Sequence, residues 1–98
     1  MSTKDRIEID FAKAVARAES LEKMAGYLSE AASEELTDAI NAIAGIWSGD
    51  NADRFIKKGM DYIPGILATA DELLKMADNV RYTATVIYEA EKKAIGMI

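Results

Sequence analysis

Few folds are open to a chain that places Gly49-Asp50-Asn51 at its midpoint, between two long stretches of helical periodicity. Glycine inside a helix gives up more backbone entropy than any other residue, and Asp and Asn side chains favour caps and turns. A helix therefore stops here. Just before the stop lies the only tryptophan, within Ile46-Trp47-Ser48-Gly49. On either side, apolar residues recur every three or four positions, the period of a helix that buries one face. The expected fold is all-α, an antiparallel two-helix hairpin that takes in residues 1–98 as one domain.

The first helix is expected over about 5–44. Ser2 followed three residues later by Asp5 is a loose capping box at its start. Its apolar seam steps through Ile7, Phe11, Ala14, Ala18, Leu21, Ala25, Leu28 and Ala32 in alternating fours and threes. Leu36, Ile40, Ile43 and Trp47 continue the seam only after an extra step of four, a stutter that locally unwinds a helix without ending it. The turn is expected over 45–51, with Asp50 or Asn51 as the cap of the next helix.

The second helix is expected over 52–95. Its seam runs Ala52, Phe55, Gly59, Ile63, Ile66, Ala70, Leu73, Ala77, Val80, Ala84, Ile87, Glu91, Ala94 and Ile98. A second apolar row of Ile56, Met60, Leu67, Leu74, Tyr88 and Ile95 lies beside it. Pro64 removes a backbone donor and crowds the preceding turn, so a kink is expected near 64. The alternative is a short helix before Pro64 and a separate one after it.

Two such helices, each ~60 Å long at 1.5 Å per residue, bury one seam against each other and leave apolar surface uncovered. The seam residues Phe11, Leu21, Leu28, Leu36, Ile40, Ile43, Phe55, Ile63, Ile66, Leu73 and Val80 are the candidates for the core and for a dimer interface. The economical way to cover the remainder is a four-helix bundle made of two hairpins.

Composition then excludes chemistry. The chain has no Cys and no His, which removes thiol nucleophiles, disulfides and the commonest general base and metal ligand. Carboxylate pairs such as Asp71-Glu72 read as solvated helix face, and Asp50 with Asp53 lacks the further ligands of a calcium loop. No catalytic, metal or cofactor site is expected, and the chain is read as a non-enzyme. A formal charge of −5 argues against a nucleic-acid surface. No apolar run is long enough to span a bilayer, and the polar start Met1-Ser2-Thr3-Lys4 has no signal-peptide core.

Two residues have more than one reading. Trp47 is either a plug that pins the two helices or a partly exposed ring that another protein contacts. Glu91 is a charge on an apolar seam, either because the helix end frays there or because the residue is recognised.

Trp47-Ser48-Gly49 midway in a chain of this length, between long amphipathic helices, resembles the WxG family of early-secreted-antigen-like proteins. Proteins of that family leave Gram-positive bacteria and mycobacteria through type VII secretion systems. The resemblance extends to the tail from Tyr82 to Ala94 and covers nearly the whole chain. It implies a hairpin that pairs with itself, or with a paralogous WxG protein, into an antiparallel four-helix bundle. It also implies a secreted, virulence-associated protein, made in the cytoplasm and recognised by the export ATPase of the system. The family's C-terminal signal is often a Tyr followed four residues later by an acid. Here Lys92 stands four after Tyr88, whereas the broader apolar–acidic–apolar–apolar pattern fits Ile87, Glu91, Ala94 and Ile98. Two rivals follow from the same residues: a helical adaptor or chaperone that escorts a larger toxin, and a membrane-active effector whose seam opens onto lipid.

Overall fold

The computed structural model describes residues 2–96. They are helical almost throughout, with no strand among them. Helix α1 spans Thr3–Glu30, passes into a π-helix over Ala31–Leu36 and continues as α2, Thr37–Ile46. After the turn, α3 spans Asp50–Asp61 and α4 spans Ile63–Ala94. The expected capping box forms: the Asp5 N–H donates to Ser2 Oγ at 3.1 Å and the Ser2 N–H to Asp5 Oδ2 at 3.3 Å.

The stutter and the π-helix coincide. Leu28, Ala32, Leu36 and Ile40 follow one another at steps of four, which would walk an apolar line off the face of an α-helix of 3.6 residues per turn. A wider π-turn takes up the extra residue. The line therefore keeps facing inward, with Ala32 and Ile40 buried and Leu28 and Leu36 half-buried. Thr37 Oγ1 donates to the Ala32 carbonyl at 3.1 Å and Ser33 Oγ to the Ser29 carbonyl at 2.6 Å, so local hydroxyls occupy carbonyls beside the widened turn.

The chain forms two compact units. One is the turn unit, residues 24–72; the other is the terminal unit, residues 1–23 with 73–98. Within each, helical segments run antiparallel. In the turn unit Gly59 backs onto Ile40; in the terminal unit Glu22 meets Arg81 while Glu8 meets Tyr88 and Lys92. The buried residues are Ile7, Ala18, Ala25, Ala32, Ile40, Ala52, Ala70 and Ala77. Six of these eight are alanine, so the core is a close approach of helix backbones more than an interlock of large side chains. It leaves big apolar groups outside. Among the described residues, fifteen large hydrophobic side chains are exposed, from Ile9 and Met24 to Ile87 and Ile95.

Three expectations change. The second helix is not continuous over 52–95: it begins at Asp50 and is interrupted at Tyr62. Tyr62 keeps helical dihedrals (φ −75°, ψ −25°), but its N–H reaches back to Gly59 and Met60, and Ile66 closes the next turn on the Tyr62 carbonyl at 3.1 Å. Pro64 thus falls in the first turn of α4, where no backbone donor is required. The turn is shorter than 45–51, because α2 runs to Ile46 and α3 starts at Asp50. The seam also shifts at two places. Phe55 and Ile87 are half exposed, at 54% and 51%, while Ile56 and Tyr88 take their inward positions. From buried Ala52 the inward line continues four residues on to Ile56 and then to Gly59, which leaves Phe55 to the side. In α4 a strict seven-residue repeat drifts around a straight helix, so after several turns the next residue, Tyr88, faces inward.

Candidate functional site

Two places carry the residues singled out by sequence. The first is the turn. Trp47 leaves α2 in extended conformation (φ −130°, ψ 126°), and its N–H still bonds the Ile43 carbonyl at 2.9 Å. Gly49 follows at φ +111°, ψ 171°, a region that only glycine occupies without strain. Its carbonyl accepts the first helical bond of α3, from the Asp53 N–H at 2.9 Å. The cap is therefore Gly49 and neither Asp50 nor Asn51. Asp50 and Asp53 sit in the first turn, where their charges meet the positive end of the helix dipole. A Cβ at Gly49 would meet nothing within 4 Å. The requirement for glycine is thus one of backbone angle, not of space.

Trp47 is neither enclosed nor free. Its ring lies on Phe55, with centroids 5.7 Å apart and planes inclined at 54°, and 48% of the residue remains exposed. Ile46 beside it is 90% exposed, and Ser48 is exposed as well. A short way from the turn, α2 and α3 enclose an apolar groove of 480 Å³, lined by Leu36, Ala39, Ile40, Ile43, Phe55, Lys58, Gly59 and Tyr62. Gly59 makes its floor possible: a Cβ there would stand 3.0 Å from Ile40 Cδ1. Phe55 and Tyr62 form exposed aromatic walls, and Lys58 is the single charged residue of the lining.

The second place is the C-terminal part of α4, packed on the start of α1. Tyr88 is turned inward and stacks on Phe11, ring centroids 4.4 Å apart. Its hydroxyl donates to Glu8 Oε1 at 2.7 Å and accepts from Lys92 Nζ at 2.8 Å. Lys92 Nζ also lies 3.6 Å from Glu8 and 4.6 Å from the Tyr88 ring centre. The bond to Tyr88, followed by the charge of Glu8, holds the Lys92 ammonium above the ordinary lysine range. About two helical turns before Tyr88 on α4, Arg81 bonds Glu22, which raises the guanidinium pKa further.

The segment Ile87, Tyr88, Glu91, Ala94 is thus split between two faces. Tyr88 is committed to packing, Ile87 and Ala94 are exposed, and Glu91 is half-buried with Arg6 Nη2 at 4.0 Å. Ile98 lies outside the described residues. Sequence reading set Tyr88 in the second apolar row beside the seam but did not join it to Glu8, Phe11 and Lys92, which meet it here. Of the residues assigned to the seam, Phe11, Leu21, Leu28, Leu36, Ile43, Ile63, Ile66, Leu73 and Val80 are half-buried and Ile40 is buried.

Among the described residues, no group of His, Cys, Asp or Glu gathers in a way that could hold a metal ion, and no polar side chain is buried. No described helix is long and apolar enough to cross a membrane. No family model matches the chain, and neither the curated proteins nor the solved structures yield a match.

Proposed function

We propose that this chain is a small non-enzymatic protein that a type VII-like secretion system exports as a dimeric helical hairpin. The observation that carries the reading is the Trp47-Ser48-Gly49 turn. Its glycine occupies a backbone region closed to other residues, and its tryptophan rests half exposed on Phe55. A plug would be covered, whereas a ring held firmly yet left open is suited to contact by another protein. The alanine core supports the dimer. A hairpin that buries little beyond alanine, and exposes fifteen large apolar side chains, gains most of its stability by pairing. In an antiparallel pair the turn of one copy lies near the C-terminal segment of the other, and the export ATPase reads the two together.

The test is secretion from a Gram-positive host with a working type VII system. Trp47→Ala and Gly49→Ala should accumulate inside the cell while the Trp47→Ala protein stays helical and dimeric. Undiminished secretion of the Trp47→Ala protein would count against the reading.

A further inference from the structure

We infer that the groove between α2 and α3 of one copy is the seat for Ile87 of a second copy, with the sense of pairing set by charge. The inference rests on the self-pairing proposed above and assigns its register. Three observations on different scales converge on it.

The first is charge. The turn unit holds three basic and nine acidic residues, a formal −6, while the terminal unit holds nine basic and eight acidic, a formal +1. No Lys or Arg occurs between Lys23 and Arg54, and Glu30, Glu34, Glu35 and Asp38 are all exposed. Stacking like units sets −6 against −6. Stacking opposite units sets −6 against +1, and brings exposed Lys13 and Arg17, one turn apart on α1, towards the acidic face. The antiparallel sense avoids the repulsion.

The second is shape. Ile87 stands exposed on α4 among Thr83, Ala90 and Ala94, which share its face and are exposed too. It is one knob in a stripe of small side chains, so a facing helix can approach closely. The groove is its counterpart: glycine at the floor, Phe55 and Tyr62 as walls. The third is position. Gly59 lies nine residues after the start of α3, and Ile87 seven before the end of α4. At 1.5 Å per residue these are about 13 and 10 Å from the two helix ends. When the turn of one copy lies beside the helix end of its mate, knob and groove fall within one helical turn of each other.

The chain has no cysteine, so introduced cysteines report on the pairing without background. Tyr62→Cys and Ile87→Cys, made in separate chains, mixed and mildly oxidised, should give the mixed 62–87 disulfide in roughly tenfold excess over either symmetrical product, the yield ratio of about 1.4 kcal/mol. Sedimentation of the unoxidised mixture is run alongside. A dimer that yields mainly the 62–62 product would overturn the inference and leave self-pairing intact. A monomer would overturn self-pairing itself, and the inference with it. Ile87→Ala provides a second reading, since it removes the knob from a half-exposed position and leaves a strong helix former in its place. It should raise the dimer dissociation constant about tenfold or more; an unchanged constant with a helical protein would contradict the assignment.

Discussion

The two units solve the same problem, holding two antiparallel helices together, by different means. In the turn unit the backbones approach closely at Gly59 and Ile40, and the only large buried side chain is apolar. In the terminal unit the helices are held by side chains that reach across, with Tyr88 stacked on Phe11 and tied to Glu8 and Lys92, and Arg81 tied to Glu22. Close backbone packing is intolerant of volume change but indifferent to pH. Polar cross-links have the opposite character. The unit built on close packing also carries the 480 Å³ apolar groove and the surplus of negative charge.

That contrast can be broken or sharpened by substitution. Ile40→Ala removes the side chain that fills the space against Gly59 and should cost about 2–5 kcal/mol. Urea unfolding at fixed protein concentration measures the cost. Hydrogen exchange should place the loss in α2 and α3 and spare the end of α4; a uniform loss would mean that the units do not differ as described.

Gly49→Ala should cost about 1–3 kcal/mol, because an L side chain is strained at φ +111°. Gly26→Ala is its control. An added Cβ meets nothing within 4 Å at either position, but Gly26 lies inside α1, where alanine should gain about 0.5–1 kcal/mol. Opposite signs in the same denaturation experiment are expected; equal signs would remove the conformational argument for the turn.

Tyr88→Phe keeps the ring on Phe11 and deletes the hydroxyl that joins Glu8 to Lys92. It should cost about 1 kcal/mol, seen as faster exchange at the end of α4 with α3 unaffected. The smallest effect is on pH. Lys92 is held above the ordinary lysine range, so the stability it supplies is fully present below that range and is lost as pH rises through the raised value. Thermal melts of Lys92→Met should therefore lose part of the decline that the native protein shows at strongly alkaline pH. An identical alkaline decline would show that the cluster contributes nothing.

Much of this arrangement was legible in the chain. The three-and-four spacing placed the inward face of both halves, the Ser2–Asp5 pair marked the first cap, and the break in phase after Ala32 marked the segment that winds as a π-helix. What was not legible depended on geometry that a one-dimensional period does not carry. The choice between neighbours such as Phe55 and Ile56, or Ile87 and Tyr88, turns on a rotation of less than one residue step. That rotation accumulates along a straight helix. The cap fell to Gly49 because its backbone angle, not a side-chain acceptor, starts α3. The groove was hidden because it needs the absence of a side chain at Gly59 and the presence of two aromatic walls, Phe55 on α3 and Tyr62 just past its end.

Sedimentation equilibrium on the purified chain, with circular dichroism on the same sample, tests the central claim most directly. The account predicts a strongly helical species of twice 10.7 kDa that dissociates with loss of helix on dilution. A stable helical monomer, with a cooperative melt independent of concentration, would contradict it.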